Sequence, residues 1–97
     1  MNAVLISLEE HDVALYVDGK RAEHWRGKEM YGYANEAISD TLRAVGIAHK
    51  WLYGVVSHRE LESMQYNADF KNGPEIFPER LEDITLDLAS FRVLREV

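Results

Sequence analysis

The segment Met30–Val45, MYGYANEAISDTLRAV, limits the possible folds of this chain more than any other, because its apolar residues keep a single period. Met30, Ala34, Ala37, Ile38, Thr41, Leu42 and Val45 recur at steps of three and four. That spacing predicts a long helix with one apolar stripe and with Asn35, Glu36, Ser39, Asp40 and Arg43 toward water. Gly46 follows directly, and a glycine there can take the left-handed conformation that closes the last carbonyls of a helix. Burying each large apolar side chain is worth about 1.5–3 kcal/mol, whereas an isolated helix of this length is marginal. The stripe therefore needs a surface to lie on, and a sheet is the expected one.

Strand patterns flank the helix. Residues 3–8 (AVLISL) and 13–17 (VALYV) are short aliphatic and β-branched runs joined by the polar Glu9-Glu10-His11-Asp12, which reads as a hairpin loop. Asp18-Gly19 then predicts a tight turn into a third strand, Lys20–Trp25, and so a three-stranded antiparallel meander. A two-residue turn and a three-residue turn with a bulge would place opposite faces of that strand inward, so either His24 or Trp25 faces the core. After the helix, Ile47–Val56 (IAHKWLYGVV) predicts a fourth strand with His49, Trp51, Tyr53 and Val55 on one side and Lys50, Leu52, Gly54 and Val56 on the other. Gly54 signals a bulge or a close approach of another group.

Ser57-His58-Arg59-Glu60 has the spacing of a capping box, predicting a second, shorter helix that ends near Asn67. The turn-rich stretch 68–77 that follows is long enough to suggest a binding edge. In the tail, Pro78, Glu79, Glu82 and Asp83 read as a helix start. Leu81, Ile84, Leu88 and Phe91 continue at helical steps, but Ile84, Leu86 and Leu88 also alternate, as do Phe91 and Val93 after a slip near Ala89-Ser90. A short helical turn followed by a carboxy-terminal strand is the favoured reading, with a continuous helix from Pro78 to Arg95 as the alternative. The fold class is thus α+β: one small domain over residues 1–97, with a long helix packed on a mostly antiparallel sheet.

The chain of 97 residues can bury a real but thin core. It has no cysteine, which points to a reducing compartment, and its amino terminus lacks a basic leader or an apolar run of membrane-spanning length. A cytoplasmic location is the expectation. The net charge of −6 is concentrated toward the carboxy terminus, where residues 60–97 carry nine acids against four bases. Such a field disfavours a phosphate backbone and suits a partner with a basic or apolar surface.

Chemical motifs are sparse. His11, His24, His49 and His58 lack the spacing of a metal site, the serines lack the glycines of a nucleophile elbow, and the six glycines form no phosphate loop. No cofactor is expected. His11-Asp12 reads as a solvated loop pair, and Ser57 as a helix cap rather than a nucleophile. Two readings stay open beside that of a binding protein. The acids of Glu79–Asp87 offer material for a carboxylate-based hydrolase, and Lys20–Lys28 interleaves cations with Trp25 in a way that a nucleic acid would use.

Aromatic residues, in contrast, are abundant for so small a core, with two Trp, five Tyr and three Phe. Trp25, Tyr31, Tyr33, Trp51 and Tyr53, together with Glu79, Glu82 and Asp83, are the candidate partner-binding residues of a small acidic interaction module of adaptor or inhibitor type. A homodimer is also expected, through pairing of Ile47–Val56 at an open sheet edge with Trp51 and Tyr53 across a two-fold axis. The competing placement puts those two rings on the inner face, under the helix.

Overall fold

The computed structural model describes residues 2–9, 12–25, 32–56, 59 and 76–97, with the backbone alone at 32–34. Five strands form one mixed sheet: β1 (Asn2–Leu8), β2 (Val13–Val17), β3 (Lys20–Trp25), β4 (Ala48–Gly54) and β5 (Arg92–Glu96), in the order β3-β2-β1-β4-β5. Helix α1 (Gly32–Ala44) connects β3 to β4, and two single 3-10 turns, Leu81–Asp83 and Leu88–Ser90, precede β5.

The amino-terminal meander forms as its sequence predicts. Asp18 and Gly19 both take positive φ, 50° and 84°, as a two-residue type I′ turn requires, and Val17 pairs with Lys20 across it. The turn is tied back to the first strand, since Asp18 N–H donates to Asn2 O at 2.8 Å and Asn2 N–H donates to Asp18 Oδ1 at 2.9 Å. His24 pairs with Ala14 and Trp25 with Val13, so the two side chains lie on opposite faces and both are half-buried. The register therefore does not choose one of them over the other as the inward residue.

β4 returns beside β1, and the two run parallel, from Asn2↔Ala48 to Leu8↔Gly54. Among the described residues this is the single parallel pairing; β1–β2, β2–β3 and β4–β5 are antiparallel. With β1 on one side and β5 on the other, β4 is interior. The expected dimer contact through an open β4 edge is thereby overturned, because both rows of its backbone groups are already engaged. The outermost described strands are β3 and β5, and each carries an extra residue against its neighbour. Ala22 stands between the pairs Leu15↔Glu23 and Tyr16↔Arg21, and Leu94 between Trp51↔Arg95 and Leu52↔Val93. Bulges on edge strands bend and twist them, which hinders the addition of another strand.

Helix α1, 13 residues among those described, ends before Val45 and is turned differently from the stripe that predicts it. Its end follows expectation: Gly46 has φ 77°, Gly46 N–H donates to Arg43 O at 3.1 Å and Ile47 N–H donates to Leu42 O at 2.9 Å, which is the Schellman arrangement. Its buried face does not. Asn35, Ser39 and Leu42 are buried with Ile38 beside them, whereas Ala37, Thr41 and Val45 are exposed. The helix has rolled by about a quarter turn from the apolar stripe, at 3.6 residues per turn. Polar partners on the sheet, described below, account for the roll.

The opposite face of the sheet carries the main apolar cluster. Ile6, Leu8, Ala14, Tyr16 and Leu52 are covered by Ile76, Phe77 and Leu86, with Leu81, Ile84, Leu88 and Phe91 packed around them. The covering segment is mostly irregular, and the β2–β3 hairpin satisfies several of its polar groups. Tyr16 Oη donates to Pro78 O at 2.6 Å, Arg21 Nη1 to Phe77 O at 2.6 Å, Arg21 N–H to Glu79 O at 2.8 Å and Leu81 N–H to Gly19 O at 2.9 Å. A short helical turn and then a strand is what the tail adopts, so a continuous helix to Arg95 is excluded. The extra residue sits at Leu94, not near Ala89-Ser90, and the alternating Ile84, Leu86 and Leu88 form no strand. The second helix expected over Ser57–Asn67, Arg59 apart, and the loop up to residue 75 lie outside the described residues.

Candidate functional site

The strand registers sort the candidate residues into transverse rows. On the face that bears α1, Trp25, Val13, Ser7, Tyr53 and Arg92 form one row across the five strands, and Glu23, Leu15, Leu5, Trp51 and Arg95 the next. Trp25, Trp51 and Tyr53 thus share the face that bears α1, the side on which the inner-face alternative puts Trp51 and Tyr53. Neighbouring strands lie about 4.8 Å apart, so Trp25 on β3 and Tyr53 on β4 stand about 14 Å from each other and form no common patch. Trp51 is half-buried, and its Nε1–H donates to the buried Ser7 Oγ at 3.0 Å. Tyr31 and the side chain of Tyr33 lie outside the described residues. Glu79, Glu82 and Asp83 are exposed, on the segment that covers the other face. The eight candidates are therefore not one site.

Beneath α1 runs a chain of hydrogen bonds through Ser39 and Asp40, two residues that the helical period of the sequence turns toward water. Ile47 O can only accept, so His49 Nδ1, at 3.2 Å, carries the proton and His49 Nε2 accepts from Ser39 Oγ at 2.7 Å. Ser39 Oγ in turn accepts from Arg95 Nη1 at 3.0 Å, and the same nitrogen donates to Asp40 Oδ1 at 2.5 Å. Ser39 and His49 are 0% and 4% exposed, which decides the chemistry of the pair. A serine at hydrogen-bond distance from a histidine is the start of a nucleophilic site, but no substrate reaches this oxygen, and Arg95 already occupies one of its lone pairs. The pair instead joins α1, β4 and β5, and it explains why the helix turns Ser39 inward. Asn35 shares that inner face, and its buried Oδ1 has no hydrogen-bond partner.

A second pair lies at the other end of the sheet. His24 Nε2 is 2.8 Å from Asp12 Oδ2, and the His24 ring meets Phe77 edge-on at 5.5 Å between centroids. Asp12 is buried rather than solvated in a loop, because its carboxylate finds a partner on the neighbouring strand. Among the described residues no three His, Cys, Asp or Glu side chains group as metal ligands, and no described helix is long and apolar enough to cross a membrane.

Two open clefts mark the described surface. One, of about 410 Å³, lies between Asp18-Gly19-Lys20 and Arg80-Leu81-Glu82, where Lys20 and Arg80 form an isolated bridge and Arg80 Nη1 is 3.5 Å from Glu82 Oε1. The other, of about 350 Å³, lies where β4 ends and β5 begins, between Tyr53, Gly54, Val55, Ser90, Phe91 and Arg92. Of these residues Tyr53 is a sequence-predicted partner contact and Gly54 a predicted bulge or close approach. Arg92 and Val55 carry no motif, and only the antiparallel return of β5 along β4 brings them together.

Comparison with family models, with curated proteins and with solved structures found no match to this chain.

Proposed function

We propose that this protein is a small acidic interaction module, of adaptor or inhibitor type, acting in the cytoplasm on a partner with a basic or apolar surface. The observation that carries the reading is the exposure of large apolar side chains: Val45, Val55, Val93, Leu94 and Val97 are 40–70% exposed, and Val55 lines an open cleft. Catalytic and small-ligand sites are usually concave enough to bury most of what they bind, whereas protein interfaces are built on flatter surfaces with apolar centres and polar rims. Glu79, Glu82 and Asp83 supply an exposed acidic margin. A carboxylate-based hydrolase finds less support, since Glu82 stands beside Arg80 at the lip of an open cleft that also holds Lys20. For a nucleic-acid module, Arg21 is turned to Phe77 O, and Lys28 lies outside the described residues. Strand pairing along β4 is not available to a homodimer, because β4 is interior to the sheet.

The test is affinity capture with the full chain from the lysate of its own source, followed by mass spectrometry and by reconstitution of any complex from purified components. A partner that copurifies and binds in a defined ratio is the expected result. Recovery of nothing beyond the background of a charge-matched control protein would sink the reading.

A further inference from the structure

We propose that the cleft at the end of the β4–β5 ladder binds an extended acidic peptide segment, with an aliphatic or aromatic side chain seated against Val55, Tyr53 and Phe91 and a neighbouring carboxylate on Arg92. The inference rests on the interaction-module reading and keeps its apolar contact, but at this one place Arg92 replaces the general preference for a basic partner with one for a carboxylate.

Three observations converge on the cleft. Val55, at 70% exposure, is the most exposed large apolar side chain among the described residues. It stands beside the half-buried Tyr53 and Phe91 in a space of about 350 Å³, room for one or two side chains but too open to enclose a small molecule. Arg92, at the lip, is exposed and makes no ion pair with any described residue, unlike Arg95 and Arg80, which are held by Asp40 and Glu82. An available guanidinium beside apolar surface selects a carboxylate on an apolar ligand, since its planar fork matches the carboxylate and its carbon stem packs on the ligand. At the floor the Phe91 ring lies against Gly54, with no room for a β-carbon between them.

Other occupants fit less well. A strand added along β5 meets the bulge at Leu94. A second copy would bring its whole net charge of −6 against the same charge on this chain, a repulsion that a short foreign segment meets only in small part.

The test uses the full-length, isotope-labelled protein and two capped peptides, acetyl-Glu-Leu-Leu-Glu-amide and acetyl-Lys-Leu-Leu-Lys-amide, followed by amide chemical shifts. The acidic peptide should move the Tyr53, Val55, Phe91 and Arg92 resonances saturably, and the basic one should not. Arg92→Ala should weaken binding about tenfold or more and Arg92→Glu should abolish it, with Arg92→Lys between, while all three keep the wild-type spectrum elsewhere because the side chain is exposed. Equal response to both peptides, no response, or shifts centred elsewhere would overturn the site. Arg92→Glu used as bait in the capture experiment separates the two levels. A partner retained equally by the variant leaves the module standing and removes this cleft, whereas peptide binding at these amides with no captured partner removes the adaptor reading and keeps the cleft.

Discussion

The ring of Phe91 lies over the bare α-carbon of Gly54, so that a β-carbon added there would stand 2.5–2.6 Å from three ring atoms. Gly54 is the last residue of β4, and Phe91 is the residue before β5. The contact therefore sets how the tail returns onto the sheet. Gly54→Ala should destabilise the fold by about 1–3 kcal/mol through overpacking. Adding Phe91→Leu should recover part of the loss, read as non-additivity in a double-mutant cycle by chemical denaturation. Gly46, with φ 77° and nothing near its would-be β-carbon, should cost about 1–2 kcal/mol on Gly46→Ala, and Phe91→Leu should not relieve it.

Asn35 is a group whose removal should help. Its Oδ1 is buried with no partner, and an unpaired buried acceptor costs about 1–3 kcal/mol. Alanine is also the better helix former. Asn35→Ala should raise the thermal midpoint by several degrees, on the scale of about 4–8 °C per kcal/mol for a domain of this size. A fall in the midpoint would show that the amide has a structural task.

Ser39→Ala should act in the opposite direction although the side chain lost is nearly as small. His49 Nε2 then loses its donor and Arg95 one of its acceptors in a site closed to water. The expected cost is about 1–3 kcal/mol in denaturant unfolding. Asp40→Ala removes only the more exposed end of the same chain and should cost less.

Trp51 should matter to stability and not to assembly. Because β4 pairs on both sides, Trp51→Phe should leave the mass measured by light scattering as it is in the wild type. Its destabilisation should be about 1–2 kcal/mol, from the buried Ser7 hydroxyl that loses its donor. A change in oligomeric state on this substitution would restore β4 as a contact surface.

Local chemistry alone determines much of this protein. The Asp18-Gly19 turn, the Schellman end at Gly46 and the strand faces of β4 follow from glycine's conformational freedom and from the two-residue period of a pleated chain, which need no knowledge of distant residues. The tertiary structure decided the rest. Only the pairing of β1 with β4 places His49 beneath the helix and makes burying Ser39 and Asn35 preferable to burying Ala37 and Thr41, because a buried imidazole without a partner would cost more than the apolar contact returns. The same pairing closes both sides of β4 and removes it as a dimer edge. The cleft of Val55 and Arg92 also exists only through that assembly, since residues 37 positions apart in sequence meet where β5 folds back on β4. Sequence periodicity records which residues can share a face, and the partner that each face will meet is set by strand order, on which periodicity carries no information.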